Sequence, residues 1–186
     1  MYLNKRSYVG AEYEHRKVTG KCDIKIDGKK LPIAFKRISY IEERIGYWRK
    51  ANQIHAWFVA NVQGGKDDCG DYDVSKENVL DLLAICKTIK EKCKPKKGKV
   101  RNGQTASPET GGKFVDNIED GEIMMNSHVA SKLLPSKSGF FFGSTDYDQY
   151  YMQDIDNTIE ILEAVLAESD PNKDYFSFDL TYHSSW

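Results

Sequence analysis

Apolar and polar residues alternate on both sides of an Asp-Gly pair in the first part of the chain. The alternating apolar positions are Cys22, Ile24 and Ile26 before the pair and Leu31, Ile33 and Phe35 after it. Alternation with a period of two around Asp-Gly is typical of a β-hairpin, and the interleaved lysines indicate that one face is wet. The sequence therefore predicts an N-terminal β-hairpin.

A helical spacing begins at Tyr40 and continues to Val62. Residues recur every three or four positions at Ile41, Ile45, Trp48, Asn52, His55, Val59 and Val62. This spacing predicts one helix over residues 40–62 with a stripe that faces the core. Asn52 and His55 are polar members of that stripe, and a buried polar group without a partner costs about 1–3 kcal/mol. They therefore either bond to a neighbouring element or face a cavity.

Two more long helices follow from the same kind of spacing. The pattern predicts them over residues 76–93 and 146–169, with Ser75 and Thr145 as their N-caps. A short helix is predicted within "SHVASKLLP". The chain is thus expected to contain three substantial helices.

Strands and one break complete the predicted organisation. Strands are predicted at residues 122–125, at residues 140–142 and over the C-terminal alternation from Phe176 to Tyr182. Residues 94–113 are rich in Lys, Gly and Pro, and they predict a mobile basic loop. We therefore predict a single α+β domain over residues 1–186. Its N-terminal β-hairpin and later strands form a small sheet packed by the three helices.

The stretch "SGFFFGSTDYDQYY" (138–151) has glycines on both sides of three phenylalanines and invites comparison with a phosphate-binding loop. Such a loop presents backbone N–H groups at a helix N-terminus and is followed by a lysine. Here no lysine follows, and Asp146 and Asp148 would repel a phosphate from the first helical turn. The stretch is therefore predicted to be a buried strand that leads into a capped helix.

Composition limits the class of protein. The chain has 186 residues, of which 40% are hydrophobic and 30% charged, as in a soluble globular domain. The basic N-terminus lacks an apolar segment and no apolar run has membrane-spanning length, so we expect neither a signal peptide nor a membrane partner. A cytoplasmic location follows as the default.

Charge is distributed unevenly along the chain. Residues 1–104 hold 23 Lys and Arg against 13 Asp and Glu, whereas residues 105–186 hold 4 against 15. The favoured interpretation is that the two halves neutralise each other by packing together, and the alternative is a dipolar surface with a basic and an acidic face. No stripe of basic and aromatic residues marks a nucleic-acid groove, so specific nucleic-acid binding is not expected.

The cysteines and an aspartate-rich loop raise the question of metal binding. Cys86 and Cys93 lie on one face of a predicted helix among apolar residues, which favours reduced core thiols over a zinc site or a disulfide. The loop "KDDCGDYDVS" (66–75) holds four aspartates, and oxygen clusters of this kind bind Ca²⁺ or Mg²⁺. Its spacing does not fit an EF-hand, so a charged loop before the next helix is favoured. We predict neither a metal nor a cofactor.

Two long segments carry a resemblance to known proteins. They are "YWRKANQIHAWFVANVQGGKDDCGDYDVS" (47–75) and "LLPSKSGFFFGSTDYDQYYMQDI" (133–155). Together they resemble a family of uncharacterised proteins encoded by tailed phages and prophages, over roughly residues 36–170. The resemblance implies a phage accessory protein in the bacterial cytoplasm and carries no activity with it. It directs attention to the motif positions Trp48, Arg49, Asn52, His55, Asp67, Asp68, Gly139 and Gly143.

Three functional hypotheses from different classes remain. The favoured one is binding or sequestering of a small anionic ligand, for example a nucleotide signal of host defence, because aromatic faces stack on bases and Arg pairs with phosphate. The candidate ligand-binding residues are Arg44, Trp48, Arg49, Asn52, His55, Asp67, Asp68, Gly139 and Gly143.

The second hypothesis is a protein–protein interaction module that acts on a host factor, favoured by the opposed charges and the C-terminal "HSSW". The third is an enzyme that uses His55 as a general acid or base with Asp67 and Asp68, although no nucleophile motif is present. The sequence does not determine the oligomeric state, and a homo-oligomer is one of the alternatives. The sequence also leaves open whether segments 47–75 and 133–155 form one site.

Overall fold

The computed structural model describes residues 1–107, 111–139 and 144–185, which form both strands and helices. The strands are β1 (Tyr2–Tyr8), β2 (Lys25–Ile26), β3 (Lys29–Lys30), β4 (Tyr40–Tyr47), β5 (Asp71–Asp73), β6 (Lys94–Ser107), β7 (Lys113–Met125) and β8 (Asp179–His183). The helices are α1 (Asn52–Asn61), α2 (Lys76–Lys92), α3 (Ser127–Leu133) and α4 (Gln149–Ala167). The predicted α+β class is confirmed.

Four of the strands form the main antiparallel sheet, in the order β4-β1-β8-β5. Leu3, Leu180 and Tyr182 are buried between this sheet and the helices. The ring of Tyr182 stacks on Phe58 of α1, with ring centroids 4.0 Å apart. Helices α2 and α4 contribute the largest share of the buried apolar side chains: Val79, Leu82, Leu83, Cys86 and Ile89 from α2, and Tyr151, Ile155, Ile159, Ile161, Leu162 and Val165 from α4. The core therefore joins the N-terminal, central and C-terminal parts of the chain.

The hairpin predicted around Asp-Gly is present, but it is short and separate from the main sheet. Strands β2 and β3 pair through two residues each, all exposed. Asp27 and Gly28 both have positive φ, at 50° and 77°, which is typical of a type I′ turn. The N-terminal strand of the main sheet is instead β1, which the pattern did not predict.

The single helix predicted over residues 40–62 is wrong in its first half. Residues 40–47 form the edge strand β4, which pairs with β1 from Tyr2↔Tyr47 to Tyr8↔Tyr40, and only α1 is helical. Gly46 allows β4 to lie close to α4, since a Cβ there would lie 2.9 Å from Cγ2 of Ile161 on α4. Pairing with a distant strand therefore outweighs the local helical spacing.

The basic loop predicted over residues 94–113 is wrong for residues 94–107. Residues 94–107 form β6, which pairs with β7 in a long two-stranded hairpin. The basic strand lies beside an acidic one, and Lys99 Nζ is 2.8 Å from Asp120 Oδ1. Backbone pairing and opposite charges stabilise β6, although Val100 is its main apolar residue. The strand predicted at residues 122–125 is confirmed as the end of β7.

The remaining helices follow the sequence closely. Helix α2 begins after Ser75, which forms a capping box with Asn78, and the short helix α3 is confirmed. Helix α4 begins later than predicted, because Asp148 rather than Thr145 is its N-cap. The C-terminal strand β8 is confirmed. The strand predicted at residues 140–142 lies outside the described residues.

The two halves of the chain neutralise each other by direct contact, as the favoured interpretation of the charge distribution predicts. Ion pairs join them between Lys5 and Glu168, Lys87 and Glu163, Lys90 and Asp156, and Arg101 and Asp146. Cys86 and Cys93 are free and buried, which confirms the core-thiol prediction.

Candidate functional site

A cavity of about 630 Å³ lies where α1, β6 and α4 come together. This volume falls within the range of small-molecule sites. Four segments line it: the chain entering α1, the bulged part of β6, residues 144–148 and the first two turns of α4. We call this space the α1/α4 cavity.

The chain entering α1 brings positive charge to the cavity. Arg49 and Lys50 are exposed and line it, and neither has an ion-pair partner among the described residues. Lys50 has a φ of 63°, in the left-handed region that non-glycine residues rarely adopt. Helix α1 then begins at Asn52, with Ala51 as an N-cap that makes no side-chain hydrogen bond and with no acid in the first turn. Its first N–H groups and its dipole therefore add to the positive potential.

Asn52 fixes the walls next to this positive end. The side chain is 2% exposed, and its Nδ2 donates to the carbonyl oxygen of Ser144 across 3.0 Å. Its Oδ1 accepts from the backbone N–H of Lys137 at 2.7 Å. Segments 47–75 and 133–155, which the sequence could not place relative to each other, are therefore in direct contact here.

An irregularity in β6 shapes the opposite wall. The pairing with β7 shifts register between Arg101 and Gln104, and Gly103 has a φ of 75°. Bulges of this kind redirect side chains and are common beside functional sites. The Arg101 guanidinium donates to Ser144 Oγ at 3.1 Å and pairs with Asp146 at 3.3 Å, so its charge is already compensated.

Helix α4 contributes two carboxyl groups with perturbed pKa. Asp148 Oδ1 accepts from the backbone N–H groups of Tyr150 and Tyr151, whereas its Oδ2 is buried without a partner among the described residues. Burial raises the pKa of Asp148. Asp154 Oδ2 accepts from Gln53 Nε2 at 3.0 Å, and burial raises the pKa of Asp154 to about 6. Perturbed acids inside a cavity are a physical indication of a functional site.

Two residues predicted to bind ligand, Arg49 and Asn52, line the α1/α4 cavity. Arg44 lies on the sheet instead, with its guanidinium carbon 4.0 Å from the centre of the Tyr2 ring. Trp48 is 1% exposed and donates from Nε1 to Thr158 Oγ1 at 2.9 Å, so its ring belongs to the core.

His55 and Asp67 form a pair elsewhere in the fold. His55 is 2% exposed, with Nδ1 2.7 Å from the hydroxyl of Tyr182 and Nε2 3.0 Å from Asp67 Oδ1. This Tyr–His–Asp chain resembles a catalytic relay, but Tyr182 is fully buried and His55 does not line the cavity. Burial lowers the pKa of His55, and Asp67 opposes that shift. Of the two alternatives for a polar residue in the stripe, His55 therefore bonds to its neighbours.

The other predicted site residues are separate from the cavity. Asp68 accepts from the backbone N–H of Gly70 and from the hydroxyl of Tyr72, within its own loop. Gly139 is exposed and is not among the lining residues. Gly143 lies outside the described residues.

The sequence did not single out Gln53, Arg101 or Asp154 as site residues. Gln53 and Asp154 lie beside predicted core positions, where polar residues usually face solvent, and Arg101 lay in the segment predicted to be a loop. A usable sequence signal was a second amide, Gln53, directly after Asn52 of the predicted core stripe; in the structure both side chains are 2% exposed. Two consecutive buried amides need partners on more than one element.

Comparisons of the chain with protein-family models, with curated proteins and with solved structures found no match. None of the helices in the described residues is long and apolar enough to cross a membrane. Across residues 1–107, 111–139 and 144–185, no group of three or more His, Cys, Asp or Glu side chains is placed to hold a metal ion. The functional argument therefore depends on the geometry of the α1/α4 cavity.

Proposed function

We propose that the protein binds a small anionic ligand in the α1/α4 cavity, with the anionic group held at Arg49, Lys50 and the first turn of α1. One observation carries the proposal. Two cationic side chains without ion-pair partners among the described residues stand at the uncapped start of a ten-residue helix, inside a cavity of about 630 Å³. Proteins commonly hold phosphate and carboxylate groups with the N-terminus of a helix and with neighbouring Arg and Lys side chains.

The acids on the other walls cancel this positive end only in part. Asp146 is paired with Arg101, and Asp148 Oδ2, which has no partner among the described residues, is buried. Asp154 is tied to Gln53, and its raised pKa reduces its negative charge as the pH approaches 6. The amide side chains of Asn102, Gln104 and Gln153 add neutral donors and acceptors to the lining. A polar, anionic molecule of small-metabolite size fits this lining better than an apolar one.

We also propose that the protein is a phage-type accessory protein of the bacterial host cytoplasm. Support comes from segments 47–75 and 133–155, which carry the phage-like resemblance and contact each other at the cavity wall through Asn52. A nucleotide signal of host defence is one example of such a ligand, because it is anionic and because a phage protein in the host cytoplasm would encounter it.

The first experiment is native mass spectrometry of the purified protein, repeated after denaturation. We expect an additional mass that is lost on unfolding, and its value identifies the ligand class. Isothermal titration with inorganic phosphate and with a panel of mononucleotides follows. Binding that fails for the whole panel, together with a bare polypeptide mass, would overturn the proposal.

Variants locate the binding to the positive end of the cavity. Arg49→Gln combined with Lys50→Asn removes both charges, and asparagine tolerates the left-handed backbone at position 50. We expect a loss of affinity of about tenfold or more, since hydrogen bonds to charged groups contribute about 1.5–3 kcal/mol each. Lys132→Gln on α3, outside the cavity lining, is the matched control and should bind as the wild type does.

A second candidate function is supported by the β6–β7 hairpin. Phe114 and Ile118 on β7 are 71% and 59% exposed, so a partner that covers them would gain the free energy of burying two large apolar side chains. The partner in this case is a host protein or a second copy of the chain. Pulldown from infected cells and native mass spectrometry test it, with Phe114→Ser and Ile118→Ser expected to abolish a stoichiometric complex. A complex that survives both changes removes this candidate.

A further inference from the structure

We infer that the ligand of the α1/α4 cavity carries an N–H donor as well as an anionic group, and that this donor binds to the Asp154 carboxylate. The donor is an amino group, such as that of an aminoalkyl phosphate or the exocyclic amine of a nucleobase. This inference rests on the proposed function and narrows it to one class of molecule.

The geometry of Asp154 leaves one acceptor available. Its Oδ2 accepts from Gln53 Nε2 at 3.0 Å, and Gln53 is itself 2% exposed. This bond holds the carboxyl group on the cavity lining, where Asp154 is half-buried. Its Oδ1 accepts no hydrogen bond from the described residues, and it is not among the fully buried atoms. An accessible carboxylate oxygen in a small cavity is an acceptor for a ligand N–H.

The surroundings of Asp154 contain acids that favour such a donor. Asp148, on the same helix, adds a second carboxyl group that raises the pKa of Asp154 further. Tyr150 and Tyr151 also line the cavity from α4, and the cation that lines it from β6 is Arg101, which is paired with Asp146. A ligand N–H with a positive or partly positive hydrogen therefore lowers the cost of keeping Asp154 ionised.

Because the cavity lining holds both cationic side chains and the Asp154 carboxylate, a ligand with only negative charge fits it less well than one that also carries an amine. Arg49 and Lys50 attract an anion into the same cavity in which Asp154 repels it. A molecule with a phosphate and an amine satisfies both groups at once. Carboxylates accept hydrogen bonds from nucleobase amines in protein–DNA complexes, so an amine-bearing nucleoside monophosphate belongs to this class.

The test uses two pairs of probes that differ in the amine. They are adenosine 5′-monophosphate against purine riboside 5′-monophosphate, and phosphoethanolamine against ethyl phosphate. Isothermal titration of the wild-type protein at pH 7.5 should show a preference of about tenfold or more for the amine-bearing member of at least one pair. Asp154→Ala should abolish this preference, while the affinity for the amine-free member stays the same or rises.

Two additional measurements separate charge from shape. Asp154→Asn keeps the side-chain volume and should reduce the preference, and Glu160→Gln on the exposed side of α4 should leave it unchanged. The wild-type preference should also shrink below about pH 6, as Asp154 takes up a proton. Equal binding of both members of each pair overturns this inference and leaves anion binding intact. Failure of all four probes to bind overturns both.

Discussion

Gln53 donates a hydrogen bond from Nε2 to Oδ2 of Asp154 across 3.0 Å, and so links the first turn of α1 to α4. The two residues are 101 positions apart in the chain. Next to Gln53, Asn52 bonds to backbone atoms of Lys137 and Ser144. The two neighbouring amides thus join the start of α1 to helix α4 and to the backbone at Lys137 and Ser144, around one cavity. The Gln53 amide gives a hydrogen-bond donor to a carboxylate whose charge burial makes costly.

Replacing Asp154 with Asn should stabilise the protein at neutral pH. The pKa of Asp154 is raised from 3.8 to about 6, so between these values the folded protein holds a proton that the unfolded chain releases. Stability therefore falls as the pH rises through this window. We expect Asp154→Asn to increase the free energy of unfolding at pH 7.5 by about 1–2 kcal/mol.

Urea denaturation followed by tryptophan fluorescence at several pH values measures this effect. The difference between variant and wild type should shrink toward zero below about pH 4, and Glu160→Gln should stay within about 0.5 kcal/mol of the wild type. A difference that does not change with pH would contradict the assigned pKa.

Asp67→Asn should lower the pKa of His55. Burial holds this pKa below its usual value of 6.5, and the Asp67 carboxylate is the group that opposes the shift. Removing that charge leaves burial unopposed. NMR titration of the histidine rings measures the pKa directly. Asp71→Asn, which affects the contact to His183 instead, is the control and should leave the His55 titration unchanged.

The same pKa shift predicts a loss of stability in mild acid. Below pH 6.5 the unfolded chain protonates His55, whereas the folded protein keeps the ring neutral. The contribution of His55 to stability is thus present above pH 6.5 and decreases as the pH falls through that value. A His55 pKa above 6.5 in the wild type would reverse this sign and refute the prediction.

Thr158→Val should destabilise the protein through Trp48. The indole Nε1 donates to Thr158 Oγ1, and both side chains are buried. Valine fills the same space but removes the acceptor, so we expect a loss of about 1–3 kcal/mol in the free energy of unfolding. Thr158→Ser retains the hydroxyl and should cost less, since it removes only a methyl group. Chemical denaturation of the three proteins compares them. Equal losses in the two variants would assign the effect to packing rather than to the hydrogen bond.

The cysteines should react in the order of their accessibility. Cys69 is exposed, whereas Cys86 is fully buried and its pKa is raised to about 12, so it provides almost no thiolate at neutral pH. We expect N-ethylmaleimide to modify Cys69 within minutes and Cys86 only after the protein unfolds. Peptide mass spectrometry over time measures both rates. Modification of Cys86 at the rate of Cys69 would show that α2 is accessible in the native protein.

The candidate site was predictable only in part. Arg49 and Asn52 were identified from the sequence and do line the cavity. Trp48 and His55 were identified by the same stripe, yet they are core residues with bonded polar atoms. Asp154 was not identified, because nothing in its neighbourhood along the helix indicates that Gln53 lies against it.

The sequence alone determined those elements whose local pattern agrees with their final environment. Helix α2 has an apolar stripe and a capping residue, β8 alternates, and the Asp27-Gly28 turn has the residues that its backbone requires. In each case, the interactions that favour the structure lie within a few residues of each other, so a short window of sequence contains them.

Tertiary structure decided the rest. Strand β4 exists because β1 pairs with it, and β6 exists because β7 supplies backbone partners and acids. The α1/α4 cavity lies where Gln53 and Asp154, 101 positions apart in the chain, meet. Such contacts join residues that are far apart in sequence, and their free energy can exceed the small differences in local propensity between helix, strand and loop.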